Sequence, residues 1–154
     1  MPYFDKLRIT SLSIACALVA IPAIVELAEG IAIAHNVEIS NEVAATFHIT
    51  PNHNPQAGET AQAWFALTRR GGETIPLSEC NCVLNVYAVP RAADAQPILQ
   101  PQVTAIDVEK YQEVPGAEIV FPNAGVYELE LVGTAKDSSS FSPFKLNYTV
   151  NVQP

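Results

Sequence analysis

The side chains best suited to chemistry in this sequence are three histidines and one closely spaced cysteine pair. His35 follows Ala32-Ile33-Ala34, His48 lies in an alternating run, and His53 sits in Pro51-Asn52-His53-Asn54-Pro55. Imidazole is a good ligand for copper and zinc. If the chain is cut after Ala34, the new amine and the imidazole of His35 form a chelate for copper, with His48 and His53 as candidate partners. A cut after Ala32 would instead leave Ile33-Ala34-His35, an amine-terminal tripeptide that also takes Cu(II). The plainer expectation for His48 is an exposed strand residue, because it alternates onto the face opposite Phe47 and Ile49. For His53 it is a turn residue, since Asn and His tolerate unusual backbone angles.

Cys80-Asn81-Cys82 is the second constellation. In an extended strand, positions i and i+2 share a face about 6.6 Å apart, whereas a disulfide wants Cβ atoms roughly 3.8 Å apart. A bridge therefore needs a bend, which Pro76-Leu77-Ser78-Glu79 can supply. Three states are open: a small disulfide in an oxidising compartment, two thiolates offered to Cu(I) or Zn(II), or two separate thiols. The Glu79 carboxylate beside Cys80 acts to raise a thiol pKa, against a redox role.

No reaction-specific motif accompanies these residues. The chain has no Gly-x-Ser-x-Gly elbow, phosphate loop or His-Glu-x-x-His helix, and no histidine follows the run Ser138-Ser139-Ser140. The expectation is a protein that is not an enzyme. The first 34 residues read as an export signal: Lys6 and Arg8 precede an apolar run from Ile9 to Val25, and Ala32-Ile33-Ala34 fits the cleavage rule. A retained N-terminal anchor helix is the alternative, although Thr10, Ser11, Ser13 and Pro22 interrupt a run already short of about 20 residues. Cys16 is an apolar residue of this leader. Residues 35–154 then form one domain of ordinary size. Without the leader, six basic and 13 acidic side chains remain, a net charge of −7. Such a domain repels phosphate backbones and anionic lipid, so nucleic acid is excluded as a partner, and membrane contact is expected only through a retained leader.

The elements that must position these residues are strands. Period-two alternation runs through Glu42–Thr50, Thr60–Thr68, Cys82–Val89, Val103–Val108, Glu118–Phe121, Val126–Val132 and Phe144–Val152. Pro, Gly, Asn and Ser clusters separate them. About seven short strands in a domain of this size predict an all-β, immunoglobulin-like antiparallel β-sandwich behind the N-terminal signal or anchor helix. Trp64 is expected in its core. Tyr127, just after Pro122-Asn123-Ala124-Gly125, is expected to make a tyrosine corner. Glu128 and Glu130 share a parity opposite Tyr127, Leu129 and Leu131, which places them on a solvent face.

This plan, with the late turn-Gly-x-Tyr strand of Phe121 to Leu131, resembles the small exported immunoglobulin-like domains of the YtkA-like and FixH-like families. It is more distantly similar to CopC-like periplasmic copper proteins. The resemblance implies an envelope location, and in some members copper handling or an accessory role in assembling membrane complexes. The CopC-like pattern implies a T-shaped copper brace built on the N-terminal histidine, but its second histidine lies far along the chain, and here none follows His53. Two functions are therefore expected. The first is a non-catalytic binding or accessory module of the bacterial envelope, exported to the periplasm or an equivalent lumen. It would contact a protein partner through the Pro51–Pro55 loop, the Arg69–Gly72 turn or the Cys80–Cys82 segment. The second is a copper-binding protein using His35, His48 and His53, with Cys80 and Cys82 as further candidate ligands.

Overall fold

Runs of side chains in this chain alternate between two environments, and the backbone answers with strands. The computed structural model describes residues 36–137 and 140–154; the leader, His35, Ser138 and Ser139 lie outside the described residues. Eight strands are present among them: β1 (Asn36–Ser40), β2 (Val43–Ile49), β3 (Thr60–Arg69), β4 (Cys80–Ala88), β5 (Thr104–Val108), β6 (Tyr111–Val120), β7 (Gly125–Ala135) and β8 (Phe144–Val152). One 3-10 turn, Leu77–Glu79, precedes β4. No helix among the described residues is long and apolar enough to cross a membrane.

The strands pair antiparallel in two sheets, ordered β1-β2-β3-β6-β5 and β4-β7-β8. In β2 the buried positions are Val43, Ala45, Phe47 and Ile49; in β8 they are the alternate residues from Phe144 to Val152. Between the sheets Phe47 stacks on Tyr148 at 4.6 Å and on Phe65 at 5.2 Å. The Tyr148 hydroxyl donates to the Ala45 carbonyl at 3.1 Å, tying β8 of one sheet to β2 of the other. Burial pushes that phenol far above its ordinary pKa. Tyr127 packs on Phe121 at 4.9 Å and donates its hydroxyl to the Asn123 carbonyl at 2.8 Å, the bond expected of it.

Two strands differ from expectation. β1 was not anticipated: its only half-buried residues are Glu38 and Ser40, and its pairing is supplied by β2, with Glu38 opposite Ala45 and Ile39 opposite Ala44. Its last residue also meets the other sheet, where the Ser40 hydroxyl accepts from the Lys145 N–H. β6 begins seven residues before the expected Glu118, because Pro115-Gly116 continues the strand instead of breaking it. Gly116 is needed for a close approach. A Cβ there would lie 2.3 Å from Ile106 Cδ1.

Two side chains depart from the environments expected for them. Trp64 is only 3% exposed, but it lies outside the inter-sheet core. Phe65 takes the inward parity of β3, and Trp64 joins Ala66 and Val114 in a separate cluster on the outer face, with Ile106, Val108 and Tyr111 against it. Glu130 is on the outer face of β7 as expected, yet it is 5% exposed. The segment after β4 folds back along that strand, with Leu99 bridged to Val86. It lays Arg91 across the Tyr87 ring, 3.8 Å from its centroid, and onto Glu128. Glu130 accepts from Lys145 Nζ at 2.9 Å, Asn85 Nδ2 at 3.2 Å and the Tyr87 hydroxyl at 3.4 Å.

Burial alone would raise the Glu130 pKa. The bonds from Lys145 and Asn85 and the charges of Lys145 and Arg91 outweigh it and hold the carboxyl below the ordinary 4.5. Its stabilisation is therefore full above that value and is lost as pH falls through the depressed one. Glu130→Ala removes the acceptor shared by Tyr87 and Asn85 and should cost about 1–3 kcal/mol near neutral pH in urea unfolding. The gap between wild type and Glu130→Gln should shrink below pH 4.5; a gap unchanged into the acid range would contradict this assignment.

Candidate functional site

Once Phe47 and Phe65 point inward, their neighbours His48 and Trp64 must point outward, because side chains alternate along a strand. Register makes them direct partners, His48 opposite Trp64. Their rings stack nearly parallel, 5.3 Å apart with 20° between planes. Tyr111 packs against the indole at 5.9 Å, tilted by 47°, with Lys110 Nζ 5.3 Å from the Tyr111 ring centroid.

The loop after β2 brings in the next residue. Thr50 donates its N–H to the Gln62 carbonyl at 3.0 Å and accepts the Gln62 N–H on Oγ1 at 2.8 Å, which fixes the base of the loop. The chain then turns back on itself. The His53 N–H bonds the Ile49 carbonyl and the Asn54 N–H bonds the Pro51 carbonyl, both at 2.8 Å. Asn52 and His53 adopt the left-handed backbone, with φ of 46° and 59°. That conformation costs a side-chain-bearing residue about 1–3 kcal/mol unless surrounding bonds over-determine it, and Asn and His bear it better than most. Its effect is to set the His53 ring 4.5 Å from His48, edge to face, and 5.7 Å from Phe47.

The spacing of the two imidazoles suits a shared ion. With a metal–nitrogen distance of about 2.0 Å, two imidazoles whose bonds to an ion meet at a right angle have centroids roughly 4.4 Å apart, whereas the 74° seen here is the angle between the ring planes of an edge-to-face pair. Among the described residues, no group of three or more His, Cys, Asp or Glu converges as a metal-holding set. The histidine pair thus provides two donors, and His35, the residue before Asn36, lies outside the described residues.

Cys80 and Cys82 do not join this pair. Arg69, at the end of β3, reaches Glu79, the neighbour of Cys80, at 2.7 Å. His48 pairs with Trp64, about five residues back along the same strand, a separation of roughly 16 Å. The two sulfurs are placed at bonding distance, and the Cα atoms are drawn to 5.3 Å. Cys80 is buried at 1% exposure over Gly133 and beside Phe144, while Cys82 is half-buried. The Arg69–Gly72 turn, with Gly71 and Gly72 at positive φ, is closed by Arg69 binding Glu73 and Glu79.

What sequence reasoning missed was the convergence of His48, His53 and Trp64. Parity put His48 on an outward face, but Trp64 was expected in the core, and strand register was required to make the two neighbours. The available hint was the prolines bracketing Asn52-His53-Asn54, which mark a tight turn back toward β2. Comparison with protein-family models, curated proteins and solved structures gave no match for this chain.

Trp64 is the only tryptophan of the chain, so its emission reports on this face alone. Gly116→Ala would force a methyl against Ile106, with contacts of 2.3 and 2.6 Å that must open. The variant should lose about 1–3 kcal/mol, and its Trp64 emission should shift to the red as the cover loosens. Unchanged emission and an unchanged unfolding midpoint would show that Ile106 does not hold this cluster.

Proposed function

We propose that this chain is an exported, non-catalytic β-sandwich of the immunoglobulin type that binds copper through His48 and His53. The observation that carries the metal site is the 4.5 Å approach of the two imidazoles, held by a left-handed backbone at His53. Imidazole donors suit copper and zinc. Cleavage after Ala34 would make His35 the first residue, with a free amine beside its imidazole, in line with the resemblance to CopC-like proteins. When bound, the ion would supply a cargo or a redox centre; the protein's own residues select it and hold it.

The immunoglobulin assignment is supported by strand order. Reading β2 to β8 as strands A to G, β2-β3-β6-β5 against β4-β7-β8 matches the A-B-E-D against C-F-G arrangement of constant-type domains, with β1 added at the edge. The Tyr127–Asn123 bond fits the tyrosine corner of that fold. Cys80 and Cys82 act in this scheme as a bridge pinning the start of β4, away from the histidines.

The deciding measurement is competition titration of the processed protein with Cu(II). One ion should bind more tightly than free histidine binds it, and His48→Ala and His53→Ala should each weaken binding at least about tenfold. Binding no tighter than free amino acids provide would end the copper proposal.

A second reading, docking on another envelope protein, is favoured by Val37 and Ile39, which are 53% and 72% exposed on the outward face of β1. Their register partners Thr46 and Ala44 lie on the same face as His48, so a partner seated there would lie next to the histidines. Photo-cross-linking from position 39 in the intact envelope should give one discrete adduct; no adduct overturns the docking proposal.

A further inference from the structure

Strand β6 outruns the neighbour that covers its outer edge. β3 pairs with it as far as Val120, opposite Thr60, but β5 pairs only as far as Gly116, opposite Thr104. Residues 117–120 therefore have a strand on one side alone. The ladder settles which backbone groups face the open side. In an antiparallel pair a residue sends its N–H and C=O the same way, and the next residue sends them the other way. Gln62 uses both groups on Thr50, just after β2. Ala61 and Ala63 must then face β6, where their register partners are Ile119 and Ala117. Glu118 and Val120 thus turn their N–H and C=O groups away from β3, along the line that β5 has left. Among the described residues none of these four groups has a protein partner, and both residues are exposed, Val120 at 49%.

The open edge lies in a groove. Leu99, Gln100 and Pro101, on the segment that crosses from β4 to β5, face Glu118, Ile119 and Val120 across a space of about 240 Å³. Glu118 also lines a second space of about 270 Å³, bordered by Gln62, Gln102 and Thr104. We propose that this groove takes an extended, basic segment of a partner protein as an added strand on β6. An open strand edge is a template for pairing with another chain. Recognition by strand addition draws affinity from main-chain bonds and selectivity from alternate side chains. Here the alternate positions are Glu118 and Val120, so the incoming strand sets a cation beside the carboxylate and an apolar side chain beside the valine.

Charge selects this occupant over others. The chain carries a formal net charge of −8, and Glu118 belongs to none of the ion pairs among the described residues. An acid at the centre of the groove, on an acidic molecule, favours a cationic strand. A second copy paired through the same edge would bring two Glu118 carboxylates onto one short ladder, where like charges destabilise the pairing. Neither copper nor contact at β1 enters this scheme.

The test pans a phage library of random peptides on the protein and synthesises those enriched. Enriched peptides should carry Lys or Arg alternating with apolar residues. On binding they should slow hydrogen exchange at the Glu118 and Val120 amides and leave Val37 and Ile39 unchanged. Methylating the peptide nitrogens that face β6 should weaken binding by about fivefold for each bond lost, while methylating the alternate set changes little. Glu118→Lys, at an exposed position, should weaken a basic peptide by about fivefold and favour its Lys→Glu counterpart. No enriched peptide, protection at other amides, or equal binding to Glu118→Lys would overturn the assignment. Protection of the two amides that grows with protein concentration, without peptide, would also overturn it by giving the groove to a second copy.

Discussion

The stack of Phe47, Phe65 and Tyr148 between the sheets sets the phase of everything outside them. A strand has two faces, and slipping it by one residue exchanges them completely. Burying Phe47 and Phe65 fixes β2 and β3 in the phase that turns His48 and Trp64 outward, side by side. The reverse phase would expose two phenylalanines and bury an imidazole between the sheets. Each phenylalanine removed from water is worth roughly 1.5–3 kcal/mol, so the inner stack outweighs the modest cost of the left-handed residues in the following loop. The Tyr148 hydroxyl adds direction to this packing, because its bond to Ala45 selects one sliding position of β8 over β2.

The two outer faces are finished by different physics. On the three-stranded sheet, a segment without regular structure is secured by charge. Arg91 binds Glu128 and covers Tyr87, and Glu130 is buried beneath with Lys145, Asn85 and Tyr87 satisfying it. An ion buried with its partners specifies geometry more than it adds stability, since desolvation offsets much of the Coulomb gain. On the five-stranded sheet the β5–β6 hairpin covers Trp64 with aliphatic groups, and only glycine at 116 leaves room for Ile106. Gly133 does the equivalent inside the sandwich, where Phe144 and Cys80 Sγ fill the space a side chain would take.

Strand phase was legible in the sequence because it is local. β2, β3, β4, β5 and β8 fall within two residues of the alternating runs, and β7 extends its run by three at the far end. β1 was hidden because an edge strand with three exposed residues carries little alternation. The first half of β6 was hidden because Pro115-Gly116 normally signals a turn. Parity also placed Glu128 and Glu130 on their correct face, and it set Trp64 opposite Phe65, against the core position expected of the tryptophan. It could not show that Trp64 and Glu130 are covered, because the covering groups come from Tyr111 and Val114 in one case and Arg91 and Lys145 in the other. Those contacts are set by topology and lie 15 to about 50 residues away in sequence. The histidine pair was half legible: the tolerance of His53 for an unusual backbone was expected, but its approach to His48 depends on bonds to Ile49 and Pro51.

β1 has one more consequence. Glu38 shares the inward side with core residue Ala45, so the outermost strand of the larger sheet presents a carboxylate toward the interior. A further strand added at that edge would have to seal this anion away from water. Natural sheets use such inward charges to stop chains from zipping together edge to edge. The acid at this edge thus opposes the pairing of β1 of one copy with β1 of another.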